Sequence, residues 1–339
     1  AGISERHTCC SLDDVEDARS VAYRLGMPYY VFNFADDFRD KVIRRFAESY
    51  EAGRTPNPCI DCNRFMKFDR LYERAKILGC DHVATGHYAR IEERDGKFVL
   101  KKALDPAKDQ SYVLYTMTQE QLAHTLFPLG GYSKPEARKL AEDGGLVNAE
   151  KPDSQDICFA PDGDYAAAIE RYTGKKPQPG NFVDADGNVL GQHKGIIHYT
   201  IGQHRGLGLG QNERAYVCKI CPADNTVVLG PSEALFRRDA AAADVNWISG
   251  QAPDGPIRCC AKVRYRQPEQ WATVTQPEPD KIRVVFDEPQ RAITCGQAVV
   301  LYDGDVVVGA AGEQEMVLQL IKFGHNARGL FQEKLPLVR

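Results

Sequence analysis

Apolar residues recur at helical spacing near the start of the chain. Val15, Ala18, Val21, Ala22 and Leu25 follow Ser11-Leu12-Asp13-Asp14, an N-cap with acidic first-turn residues, and Gly26 ends the run. Pro28 to Phe34 is aromatic and β-branched, which predicts a short buried strand. Val42, Ile43, Phe46 and Tyr50 share one face of a second helix over 38–50, and the basic, amphipathic stretch from Arg64 to Lys76 predicts a third. Cys80 to Tyr88 then reads as a strand that runs into a turn at Gly86. This helix–strand alternation predicts an α/β fold with a doubly wound parallel sheet, whose ligands bind at the carboxyl ends of the strands. Positions 92–104 alternate as a hairpin, Lys108 to Tyr112 opens a further helical region, and Ser133-Lys134-Pro135-Glu136 starts a helix with proline in its first turn.

From about residue 177 glycine and proline become frequent and the strands short. Six glycines fall between Gly191 and Gly210, among His193, Lys194, His198, His204 and Arg205. From Asp244 to Gly312 the pattern is all-β, with clear strands at 282–286 and 298–302. The expected organisation is an α/β nucleotide-binding and catalytic domain over 1–165, a small β-rich domain over 166–238, a β-barrel over 239–312, and a tail, 313–339, that fits none of these textures.

The length of 339 residues gives room for two or three cores, and a net charge of −4 places any nucleic-acid surface in a local patch. No run of 18 apolar residues and no signal-peptide pattern occurs in the sequence, which predicts a cytoplasmic protein. There are eleven cysteines, an odd number with two adjacent pairs, at 9–10 and 259–260, which fits a secreted disulfide framework poorly. In a cytosolic chain such spacing points to catalysis, metal or buried filler.

The candidate chemistry centres on Arg54-Thr55-Pro56-Asn57-Pro58-Cys59-Ile60-Asp61-Cys62-Asn63. Two prolines predict a rigid, extended turn that presents two thiols just before a helix, where the positive end of the helix dipole favours thiolate. Cys59-x-x-Cys62 has three readings: half of a zinc site with Cys218-x-x-Cys221, inert thiols, or a nucleophile on a positioned loop. Cys158 stands alone behind a polar lead-in, Lys151 to Asp156, which suits an exposed loop. Gly86-His87 at a strand end is either a plain turn or a place where a nucleotide approaches the backbone. Lys262 and Arg264-Tyr265-Arg266 interleave charge with an aromatic on a predicted strand, as a solvated face or a phosphate and base contact.

Taken together these stretches resemble the tRNA-specific 2-thiouridylases, enzymes of the PP-loop ATP pyrophosphatase group. The matching segments run from Cys9-Cys10-Ser11 to Gly312 and include Gly53 to Pro58, Cys62-Asn63, Lys67-Phe68, Ala84-Thr85-Gly86-His87-Tyr88 and Lys108 to Tyr112. Further on come Asp153-Ser154, Ile157-Cys158-Phe159, Thr200 to Gln203, Gly206-Leu207-Gly208, Arg264-Tyr265-Arg266 and Gly296-Gln297. The resemblance implies ATP-dependent 2-thiolation of the wobble uridine of tRNA, with Cys158 carrying sulfur as a persulfide and Cys62 as its partner nucleophile. It implies that Asn57, Pro58 and Cys59 touch the target base and that Gly86 contacts ATP. His87, Lys108, Asp109, Gln110, Arg264, Tyr265 and Gln297 would contact tRNA. Mg2+ is expected with the ATP, no tightly bound metal is expected, and the expected partners are tRNA and a persulfide-donating sulfur-relay protein, with no membrane.

Two departures from the family pattern stand out. Its first strand and phosphate loop, Ser-Gly-Gly-Val-Asp-Ser-Ser, have no counterpart in this sequence, so the alternative expectation is a truncated, non-catalytic tRNA-binding fragment. Many members carry aspartate where this chain has Cys59, so the general base is either lost or falls to Asp61.

Overall fold

The computed structural model describes residues 12–146, 148–150, 157–209 and 215–315. Three long helical stretches form its amino-terminal part. The first is Leu12–Arg24, closed by Gly26 with φ of 66°. The second runs through Ala35–Phe38, a π-helical segment Arg39–Ile43 and Arg44–Glu51, burying Val42, Phe46, Ala47 and Tyr50 on the predicted face. The third departs from expectation. Asn57 is extended and its side chain accepts from the Cys59 N–H, Pro58 takes the first helical position, and the helix runs on through Pro58–Asp61, a π-helical Cys62–Arg70 and Leu71–Ile77. The cysteine pair therefore lies inside a helix and not on an extended turn. Proline at that position needs no N–H donor, and the residue before a proline is already biased to the extended geometry of an N-cap.

The strand expected at Pro28–Phe34 does not form among the described residues. The segment is extended, with Tyr30, Phe32 and Phe34 stacked along one side, but it joins no ladder and Val31 is 65% exposed. A strand is held by its neighbours' hydrogen bonds, and local aromatic content does not replace them.

Parallel pairing occurs between β1 (Val83–Ala84) and β4 (Thr125–Leu126). The predicted hairpin is β2 (Ala89–Arg94) with β3 (Lys97–Lys102), turned at Asp95 and Gly96, both with positive φ as a type I′ turn requires. The helical region expected from Lys108 shrinks to a single 3-10 turn, Ser111–Val113, because Asp109 accepts from the Ala103 and Ser111 N–H groups and pins the chain there. Ser133 caps the helix Lys134–Asp143 with a capping box.

Strands β5 (Gly180–Val183), β6 (Val189–His193), β7 (Tyr216–Cys221) and β8 (Thr226–Gly230) form a separate sheet in the order β6-β5-β8-β7. The remaining strands are β9 (Phe236–Trp247), β10 (Ile257–Lys262), β11 (Gln270–Glu278), β12 (Lys281–Arg291), β13 (Val299–Asp303) and β14 (Val306–Glu315). They pair in the order β13-β10-β11-β12-β9-β14, and β13 pairs back onto β14, which closes a six-stranded barrel. The β2–β3 hairpin extends from β14 through Lys101, whose buried ammonium meets Glu92 at 2.7 Å and Asp305 at 3.1 Å. One core then serves both parts: Ile60 and Phe68 of the cysteine helix pack with Tyr112 and Leu114 and with Val300 and Tyr302 of the barrel. No helix among the described residues is long and apolar enough to cross a membrane.

Gly130 sits against β2 so closely that an added Cβ would lie 1.7 Å from the Ala89 carbonyl oxygen, whereas Gly131 has nothing within 4 Å. Gly130→Ala should lower the urea midpoint by several tenths of a molar or more. Gly131→Ala should leave it within the scatter of a surface change, about 0.5 kcal/mol.

Candidate active site

The two cysteine segments are anchored on one helix. Cys59 is exposed, while Cys62 and Cys158 are half-buried. Asp61, immediately before Cys62, accepts from Arg45 Nε at 3.2 Å, and Phe159, immediately after Cys158, packs edge-on against Phe46 at 5.1 Å and Phe38 at 6.1 Å. Arg45, Phe46 and Phe38 all belong to the helix over 35–51, so that helix sets where both thiol-bearing segments lie. Cys158 is in an irregular turn, as expected, although Lys151 to Asp156 fall outside the described residues.

Elsewhere burial disfavours thiolate: it pushes Cys218 up and Cys259 up to about 12. Cys218 and Cys221 are part of β7, and no group of three or more metal-ligating His, Cys, Asp or Glu side chains gathers among the described residues. Cys9 and Cys10 lie outside them.

Asp61 is also half-enclosed: burial raises its carboxyl above the usual range, and the Arg45 charge pulls against that. It lines a cavity of about 310 Å³ with Asn57, Ile60, Arg64, Tyr115 and Asp244. The cavity lies between the cysteine helix and the barrel. Arg64 bridges its far wall to Asp244 at 3.2 Å, and a Cβ on Gly312 would meet the Tyr115 hydroxyl at 2.6 Å.

Barrel loops hold the amino-terminal lead of the cysteine helix. The Thr55 N–H donates to the Cys295 carbonyl at 2.8 Å, and Gln297 Nε2 donates to the Thr55 carbonyl at 2.6 Å. Gly296, with φ of 88°, passes so close that a Cβ would sit 3.0 Å from the Thr55 nitrogen.

Gly86 follows the carboxyl end of β1, where a Cβ would meet only Leu129 at 3.7 Å, so the protein's own packing does not require glycine there. His87 points inward. Its Nε2 is 3.3 Å from Lys67 Nζ and its Nδ1 2.8 Å from Thr85 Oγ1, and its ring meets Phe68 and Phe127. An ammonium only donates, so Nε2 accepts and Nδ1 carries the proton to Thr85. Burial, then the Lys67 charge, lowers His87 to about 3, so it is neutral at physiological pH.

Several of the other predicted residues converge nearby. Gln110 and Tyr88 bond each other twice, through Gln110 N to Tyr88 O and Tyr88 N to Gln110 Oε1, both at 2.9 Å. Tyr265 donates to the Asp109 carbonyl at 3.2 Å. Burial raises the Tyr265 phenol above its usual range, and the charges of Asp109 and Cys59 push the same way. Arg264 and Tyr265 do not lie on a strand, since β10 ends at Lys262 and they occupy the turn after it. Arg264 is bound within the protein, to the Ala292 and Ile201 carbonyls at 3.1 Å each and to Thr294. It thereby ties the middle sheet to the barrel, while Arg266 is exposed. The roles of Thr85 and Lys67 around His87 were not read from the sequence; a polar residue two before a strand-end histidine was the available signal.

The chain matches a tRNA methyl transferase HUP domain over residues 2–162, a tRNA methyl transferase PRC-barrel domain over 167–231 and an aminomethyltransferase β-barrel domain over 237–312. It is 51% identical over 303 residues to a tRNA-specific 2-thiouridylase MnmA of Clostridioides difficile, covering 89% of this chain and 84% of that protein. The Acetivibrio thermocellus protein of the same name is 52% identical over the same shares. The chain belongs to the tRNA-specific 2-thiouridylase family. Within that family's α/β fold, Gly86 occupies the strand end where ligands are expected.

A depressed histidine has a signature in stability. The unfolded chain takes up a proton on His87 below about 6.5 and the folded chain does not until about 3, so folding loses about 1.4 kcal/mol per pH unit between these values. Between pH 7 and 5.5 the native protein should lose about 1.4 kcal/mol more than His87→Gln in parallel urea titrations; equal losses would mean that His87 is not held neutral.

Proposed function

We propose that the protein thiolates C2 of a tRNA uridine, using ATP and a sulfur atom held on Cys158. The single observation that carries this reading is the anchoring of the Cys62 and Cys158 segments on one helix, in a chain of a thiouridylase family. ATP supplies activation of the uridine C2 oxygen as a phosphate ester, with loss of pyrophosphate. The residues that fit the nucleotide are Gly86, whose open turn leaves its backbone approachable, and the groups around it at the end of β1. Mg2+ comes with the nucleotide.

Cys158 receives the sulfur from a persulfide-carrying donor protein. The Cys62 thiolate then attacks the inner sulfur of the Cys158 persulfide, which forms the Cys62–Cys158 disulfide and releases hydrosulfide. Hydrosulfide adds at C2 of the activated uridine, the C2–O bond breaks, AMP leaves, and the ring loses one proton to give the thiocarbonyl. The sulfane sulfur is reduced by two electrons and the two cysteines are oxidised, so the cycle ends on a disulfide that a cellular thiol must reduce. Asp61 is the carboxylate nearest in sequence to Cys62, and its raised pKa suits it to accept a proton where Cys59 replaces the family's frequent aspartate.

Asn57 and Pro58 contribute to base recognition mainly by fixing the helix start, since the Asn57 carboxamide oxygen is bonded to the Cys59 N–H. Lys108, Asp109, Gln110, Tyr265 and Gln297 form the tRNA face around it, and Cys59 lies at its edge. Arg264 supports that face by bridging domains.

Mass spectrometry of tRNA incubated with ATP and a persulfide donor tests the assignment. Cys62→Ser and Cys158→Ser should each reduce thiolation by at least about a hundredfold, as loss of a nucleophile does, and Cys59→Ser should retain most of it. Full thiolation by Cys62→Ser would remove Cys62 from the mechanism. A chain that binds tRNA but thiolates none under any of these conditions would favour the binding-only reading.

A further inference from the structure

Lys67 is a half-buried cation in an unusual setting. The helix that carries it is π-helical over Cys62–Arg70, and the Leu71 N–H bonds the Met66 carbonyl five residues back. This winding brings residues five apart toward one side, so Lys67 lies on the side of the helix that carries Cys62. The ammonium reaches His87 Nε2 at 3.3 Å, and the imidazole is fixed in turn by Thr85 at 2.8 Å and by the Phe68 and Phe127 rings. Among the described residues no carboxylate pairs with Lys67 in an ion pair, in contrast to Lys41, Lys76, Lys101 and Lys102. Its neutral partner aims the ammonium without cancelling its charge. His87, which holds that charge, directly follows Gly86 in the chain, just past the carboxyl end of β1, where an α/β sheet places its ligands.

We propose that Lys67 is a phosphate-binding residue of the thiolation site and that His87 is its positioning residue. The inference rests on the reading that this protein uses ATP and tRNA, and phosphate is the chemistry the two share. An ammonium with no carboxylate partner, held by the residue that follows an approachable glycine, suits a phosphate oxygen, which accepts charge-assisted hydrogen bonds at short range. His87 keeps Lys67 from turning away to solvent, and it does so only while neutral.

Calorimetric titration with Mg-ATP and, separately, with an unmodified tRNA transcript across a salt series tests the proposal. If the phosphate belongs to the nucleotide, Lys67→Met and Lys67→Gln should weaken ATP binding about tenfold, the size of one hydrogen bond to a charged group. If it belongs to the tRNA backbone, ATP affinity stays and the salt slope of tRNA binding falls by about one unit. Lys67→Arg should restore most of whichever binding is lost. His87→Leu should show the same loss in weaker form and add nothing to Lys67→Met, whereas His87→Gln, whose amide oxygen can accept from Lys67, should bind normally. Wild-type affinity of both lysine variants for both ligands overturns the proposal alone. Additive losses from Lys67→Met and His87→Leu overturn the positioning role. A wild-type protein that binds neither ligand overturns this inference together with the function it rests on.

Discussion

Tyr112, Leu114 and Tyr115 are buried between the cysteine helix and the barrel, and the structure depends on that shared packing. A single apolar core runs from Ile60 and Phe68, through the 112–117 segment, to Val300, Tyr302 and Ala310. Burial of this kind contributes about 1.5–3 kcal/mol for each large side chain removed from water. Its buried polar groups are aimed across the same boundary. Tyr112 donates to the Ala298 carbonyl at 2.8 Å, Asn63 to the Val113 carbonyl at 2.9 Å, and Asn246 to the Tyr115 and Met117 carbonyls at 2.6 and 3.1 Å. Breaking the boundary would expose apolar surface and orphan these groups together.

The consequence for the site is mechanical. The cysteine helix is fixed along its length by the core and at its start by Gln297 and the Cys295 carbonyl, so the barrel determines where Cys59 and Cys62 stand. The hairpin β2–β3 is tied to the turn before β14 by Lys101 and Arg90, which meet Asp305 at 3.1 and 2.8 Å. Residues that the family resemblance assigns to tRNA are thus also the joints between domains. Arg264 and Gln297 spend side-chain donors on protein oxygens, which makes both of them joints of the fold.

The sequence was legible where local pattern and tertiary environment agree. The barrel strands alternate, the helix over 35–51 shows its buried face, and Ser133-Lys134-Pro135-Glu136 announces a helix start. Reading failed where a residue's effect depends on what lies beside it. The two prolines before Cys59 look like helix breakers, yet Pro58 begins a helix, because position decides whether its missing N–H matters. Pro28 to Phe34 has strand composition without a ladder partner among the described residues. Arg264-Tyr265-Arg266 resembles an exposed basic strand, but Arg264 is turned into the junction with Ile201, a contact 63 residues away in sequence. Lys67 and Thr85 acquire their meaning only through His87, which they flank in space from two different elements.

The proposed thiolation requires that the helix over 35–51 bring the Cys62 and Cys158 segments to a common site. Mild oxidation of the protein in the presence of tRNA, followed by proteolysis and peptide mapping, measures it directly. The account predicts a Cys62–Cys158 crosslink as the main product, since a disulfide forms only when the two Cα atoms come within about 7 Å. A Cys59–Cys158 crosslink in its place, or Cys62 and Cys158 remaining as thiols while other cysteines oxidise, would contradict it.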